Sequence, residues 1–132
     1  MIIKYFDEFE GKWLDISGNT GSSLVKSSDG WTISQGYSVL TLLISQTGTD
    51  APTYTELENT LGTTYSTQYN SSGNYSLILD DGLMSQGKTV LFIQNNTTKV
   101  NTIYRNSNTE IVIQTNGNGD LNFTSLELRI YN

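Results

Sequence analysis

The sequence predicts an all-β protein: an antiparallel β-sandwich or jelly-roll-like domain preceded by a short N-terminal β-arm. Three observations carry this. Apolar and polar residues alternate along much of the chain, the period of strands with one buried face. The alternating runs recur every 8–12 residues or so, separated by Gly, Asn, Asp and Ser clusters that favour tight turns. Charged residues make up 15% of the 132 positions, yet 8 Tyr, 4 Phe and 2 Trp are present. That composition lacks the high charge and scarce aromatics of a disordered chain and offers anchors for one ordinary core.

In chain order, IIKYF and KWLDI read as two short strands joined by the acidic turn DEFEG. Residues 17–30, SGNTGSSLVKSSDG, read as a Gly/Ser spacer holding a short strand at Ser23–Lys26. This gives an anchoring or oligomerisation arm over 1–30 and a sandwich over 31–132. YSVLTLLISQ, 37–46, is nearly continuously apolar and reads as a strand buried on both faces. TGTDAP breaks it. In TYTELENTL the glutamates suit a helical turn and the threonines a strand, and the strand reading is adopted. TYSTQYN and NYSLILD flank SSG as a hairpin. DGLMSQG is a loop. KTVLFIQ, VNTIYR, TEIVIQT and LNFTSLELRIYN complete about eight strands from Tyr37 onward. In the last, Leu126, Leu128 and Ile130 face one way and Glu127, Arg129 and Tyr131 the other.

The chemistry available is narrow. There is no His and no Cys, which removes triads built on His, thiolate nucleophiles and zinc–sulfur sites. The net charge of −6 disfavours a nucleic-acid backbone or an anionic membrane as partner. The N-terminus lacks the apolar core of a signal peptide, so any export is expected by another route such as cell lysis. Glu56 and Glu58, two apart, are expected to share one strand face, a solvated one rather than a glycosidase pair. Asp80–Asp81–Gly82 reads as a turn. Asn116-Gly-Asn118-Gly-Asp120 partly matches a calcium loop and reads as a strand-joining turn. GKT at 87–89 lacks the upstream Gly of a phosphate loop. Catalytic, metal and cofactor sites are therefore expected to be none. Sequons at Asn70, Asn74, Asn95, Asn96 and Asn122 match chance in an Asn/Thr-rich chain.

The N-terminal segment has few apolar residues but holds Ile3, Phe6, Trp13, Leu14, Ile16 and Trp31. The tryptophans either cap a small local cluster or anchor the segment to another surface. The six form the candidate interface.

Two stretches carry a resemblance. Tyr37–Gly62, YSVLTLLISQTGTDAPTYTELENTLG, resembles a Q-x-G-T-x-A-P … L-E-N-T-L-G module of virion proteins from tailed phages infecting Bacteroidetes. The close, NGNGDLNFTSLELRIYN, resembles that module's ending, and MIIKYFDEFEGKWLDIS resembles the openings of phage fibre and appendage proteins, departing from them in the Glu-Phe-Glu of its turn. The resemblance implies a non-enzymatic head fibre, capsid decoration or appendage protein in the virion, usually a trimer, with other virion proteins such as the major capsid protein as partners. The alternative is a carbohydrate- or receptor-binding module of a tail appendage, with Tyr65, Tyr69, Tyr75 and Tyr104 stacking on a host-surface glycan.

Overall fold

The computed structural model describes residues 3–7, 12–16, 23–27, 30–34, 36–95, 101–116 and 120–132; for 3–7, 12–16, 23–27, 31–34 and 101 it describes the backbone alone. All regular structure among them is β. The chain divides into two compact units, Met1–Gly36 and Tyr37–Asn132.

The first unit contains two hairpins. Strand β1 (Ile3–Asp7) pairs antiparallel with β2 (Lys12–Ile16), and β3 (Ser23–Ser27) with β4 (Gly30–Ser34). The short strand expected at Ser23–Lys26 is thus present and has a partner. The unit ends beyond the Gly/Ser spacer, at Gly36, because Gly30–Ser34 pairs back onto Ser23–Ser27. The turn Glu8–Gly11 and the spacer residues 17–22 lie outside the described residues.

The second unit holds β5 (Tyr37–Ser45), β6 (Thr53–Asn59), β7 (Tyr65–Ser71), β8 (Asn74–Leu79), β9 (Thr89–Gln94), β10 (Asn101–Arg105), β11 (Glu110–Thr115) and β12 (Thr124–Tyr131). They form two four-stranded antiparallel sheets, β6-β5-β12-β9 and β7-β8-β11-β10. Local hairpins β5–β6, β7–β8 and β10–β11 are supplemented by the long-range pairs β5–β12, β9–β12 and β8–β11. The first and last strands of the unit therefore lie side by side, and the alternating C-terminal run is held in the interior of its sheet.

Period-2 alternation decides what goes between the sheets. Leu40, Leu42 and Ile44 from β5, Leu126 and Leu128 from β12, Tyr75, Leu77 and Leu79 from β8, and Ile111 and Ile113 from β11 are fully buried in one cluster with Met84 and Leu121. Burying each large apolar side chain contributes roughly 1.5–3 kcal/mol. The run 37–46 was expected to be buried on both faces. Its opposite face is instead half-buried at Thr41, Leu43 and Ser45, and only Val39 there is buried. Among the described residues of the unit this face is thus only partly covered.

Turn chemistry accounts for several otherwise opaque residues. In L-E-N-T-L-G, the Thr60 hydroxyl accepts the Val39 N–H at 2.8 Å, and Thr60 N–H bonds Val39 C=O at 2.8 Å. Asn59 accepts the Gly62 N–H and donates to Thr63 C=O. These bonds stop β6, and Gly62 has φ 72°, a conformation that only Gly adopts cheaply. Gln46 is buried and ties the following loop together, its side-chain amide donating to Gly48 C=O at 2.7 Å and Asp50 C=O at 3.3 Å. Gly82 lies close to the Asn108 side chain, whose Nδ2 would stand 2.7 Å from a Cβ built there and would have to move aside for any larger residue.

Candidate functional site

The two outer faces of the sandwich carry different side-chain networks. On β7-β8-β11-β10 the outward side chains mix polar groups with Ile78, Val112 and the exposed Tyr104. Ser76 donates to Glu110 Oε1 at 2.7 Å, Asn106 to Glu110 Oε2 at 2.6 Å, and Asn70 to Ser76 at 2.7 Å. The Ser76 bond, followed by that of Asn106, lowers the Glu110 pKa from the usual carboxylate range. Every member of this chain of bonds has its partner within the chain, which is the behaviour of a structural network.

The outer face of β6-β5-β12-β9 is different. Register aligns Phe92, Glu127 and Thr41 in one row, Gln94, Ser125 and Leu43 in the next, and Val90, Arg129 and Val39 in a third. Phe92 is 48% exposed. The Arg129 guanidinium lies 5.1 Å from the Phe92 ring centroid and 4.8 Å from that of Tyr37, in reach of a cation–π contact with both. Tyr37 in turn packs on Tyr131 at 5.3 Å. Arg129 Nε donates to Glu127 Oε1, two residues away on the same strand and face. Hydrogen bonds to Tyr131 and then Glu127 raise the Arg129 pKa further, so the group is cationic at any ordinary pH. Thr41, Phe92, Gln94, Ser125, Glu127 and Arg129, with Ile93 and Leu126, line an open groove of about 410 Å³.

The carboxylates suspected from sequence do not form a pair. A β-bulge at Thr41/Leu42 sets Glu58 opposite Thr41 and Glu56 opposite Leu42, residues on opposite faces of the sheet. The expectation of a shared face fails because one extra residue, Leu57, resets the alternation. Glu56 instead accepts the Tyr65 hydroxyl at 2.6 Å and an Asn59 N–H at 3.3 Å. Asp80 accepts the Thr64 hydroxyl, and Asp80 N–H bonds Thr64 C=O at 2.9 Å, so Asp80–Asp81–Gly82 is built into a loop. Residues 117–119 lie outside the described residues. Around them, Leu121 is buried where a calcium loop requires Gly, and Glu127 is committed to Arg129. No group of three or more acidic, His or Cys side chains suited to a metal occurs among the described residues.

The tyrosines proposed to stack on sugars are also redistributed. Tyr75 is 1% exposed and belongs to the core, and Tyr65 and Tyr69 pack against that core. Only Tyr104 is well exposed. In the N-terminal unit, Ile3 pairs with Ile16, Phe6 with Trp13, Tyr5 with Leu14, and Lys26 with Trp31. The side chains of the candidate interface residues Ile3, Phe6, Trp13, Leu14, Ile16 and Trp31 lie outside the described residues. The groove residues Phe92 and Arg129, and Tyr37 beside Arg129, were not singled out as a site from sequence. Only the outward alternation of Glu127, Arg129 and Tyr131 signalled half of it.

Comparison of the chain with known protein families, with curated proteins and with solved structures found no match.

Proposed function

We propose that this chain is a non-enzymatic structural protein of a tailed-phage virion, displayed on the capsid surface as a head fibre or decoration protein. One observation carries the reading. The two stretches that resemble the virion module, Tyr37–Gly62 and the C-terminal run, are far apart in sequence yet supply the three adjacent strands β6, β5 and β12 of one sheet. The residues of the resemblance are thus those that build a single structural unit, and the L-E-N-T-L-G end has a strand-terminating role. The proposed assembly is a homotrimer held to a capsid protein by the N-terminal arm. Supporting this, each arm hairpin has only two strands, and an isolated two-stranded hairpin is marginal in water. Mass spectrometry of gradient-purified virions should find the chain as a stoichiometric component. Light scattering of the full-length protein should report three times 14.6 kDa. Absence from the particle would remove the virion reading, and a monomeric mass would remove the trimer.

A second reading, a carbohydrate- or receptor-binding module of a tail appendage, is favoured by the mixed aromatic and polar groove on the outer face of β12 and β9.

A further inference from the structure

We infer that the groove over β9, β12 and β5 is a binding site for a neutral oligosaccharide, with Phe92 as the stacking platform and Glu127, Arg129, Gln94, Ser125 and Thr41 as the hydroxyl-binding groups. The inference rests on the second reading above and does not depend on the capsid-surface role.

The geometry gives each part a task. A sugar ring presents an apolar face of C–H groups and an equatorial rim of hydroxyls. Phe92 offers a ring 48% exposed at the groove, partly met by the Arg129 guanidinium, and the aromatic surface left in water invites an apolar partner. Beside it the register places acceptor, donor and amphoteric groups in adjacent rows: the Glu127 carboxylate next to Phe92, the Gln94 amide next to Ser125, and Thr41 across from Glu127. Hydroxyls both donate and accept, so this mixed set suits a polyol better than a ligand of one polarity.

Charge and size select the ligand class. Arg129 is the cation of the groove, but its Nε is committed to Glu127 and its face to two aromatic rings. The pair leaves the groove close to neutral, inside a chain of net charge −6, which discriminates against an acidic ligand. The clamp also immobilises Arg129 before any ligand arrives, which lowers the ordering cost of binding. A groove of about 410 Å³ falls within the range of small-ligand sites, roughly 300–1,000 Å³. A stable second copy of the chain would need about 800 Å² of complementary surface on each partner. On this face the well-exposed large apolar side chains around the groove are Val90, Phe92 and Tyr131.

The test is titration of the full-length protein with neutral tetrasaccharides of glucose, mannose and N-acetylglucosamine and with an oligogalacturonate, followed by amide chemical shifts. The expected result is saturable binding of at least one neutral probe at roughly millimolar or tighter dissociation constant, with shifts concentrated on β9 and β12. Phe92→Ala and Phe92→Leu should each weaken it by about tenfold or more, as truncation of a central aromatic anchor does. The Leu variant keeps apolar packing and isolates the loss of the ring, and thermal melts confirm that both remain folded. Glu127→Gln should weaken binding while leaving the aromatic platform. Several results would overturn the site: no neutral probe binding, preference for the oligogalacturonate, binding indifferent to both Phe92 variants, or self-association through this face without sugar binding. Sugar binding is measured on the isolated protein and presence in the particle by mass spectrometry of virions, so the failure of the site and the failure of the virion reading are distinguishable.

Discussion

The hydroxyl of Tyr65 donates a hydrogen bond to Glu56 Oε2 at 2.6 Å, joining edge strand β7 of one sheet to edge strand β6 of the other. The Tyr54 and Tyr65 rings meet beside it at 4.9 Å between centroids. On the same side, the Thr67 hydroxyl reaches Pro52 C=O. The sandwich is therefore closed along this edge by side chains where no backbone ladder crosses.

Removing that hydroxyl should be felt. Tyr65→Phe is expected to cost about 1 kcal/mol at neutral pH, the usual net value of one hydrogen bond. Burial, and then the bond to Glu56, raise the Tyr65 pKa above its ordinary value near 10. The folded state therefore holds the proton more tightly than the unfolded state. The resulting stability is complete below pH 10 or so and is lost as pH climbs beyond it toward the folded-state pKa. Urea midpoints measured from pH 8 to 11 should fall more steeply for the native protein than for Tyr65→Phe. Parallel slopes would show that the bond does not form.

Tyr75 and Tyr104 sit at opposite extremes. Tyr75→Ala should destabilise by about 3–5 kcal/mol, the range for emptying a buried aromatic position, because Tyr75 is 1% exposed within the core. Tyr104→Ala should stay within about 0.5 kcal/mol, as surface substitutions do. Its hydroxyl only accepts a 3.4 Å bond from Gln114. Guanidinium denaturation separates the two, and similar losses would mean that the β8 face assignment is wrong.

Phe123 carries a left-handed backbone, φ 45°, and is 62% exposed. The conformation costs a non-Gly residue about 1–2 kcal/mol, and Asn tolerates it better than most. Little burial offsets that cost here. Phe123→Asn is expected to raise thermal stability or leave it unchanged. A clear drop in melting temperature would show that the phenyl ring contributes packing.

The whole described core cluster lies within Tyr37–Asn132. A fragment of residues 37–132 should consequently fold alone, with a cooperative thermal transition close to that of the full chain. A non-cooperative melt would assign the N-terminal unit a share of the stability.

Much of this was determined by the sequence alone. Alternation with turn residues at short spacing fixed an all-β chain, because period 2 is the only way these runs bury one face. It placed the eight strands after Tyr37 to within two residues, including the ambiguous TYTELENTL, except at the start of the last, which begins at Thr124 rather than Leu121. The outward direction of Glu127, Arg129 and Tyr131 was also legible, being set within one strand. The tertiary structure decided what depends on pairing between distant strands. KTVLFIQ could have buried either face, and only its register against β12 turned Phe92 outward beside Glu127 and within reach of Arg129. The bulge that separates Glu56 from Glu58 arises from pairing with β5. Tyr75 and Tyr104 have the same side chain in similar strands, and their different burial follows from which face of a sheet each occupies. Local sequence sets an element's period, whereas the partner strand sets its phase.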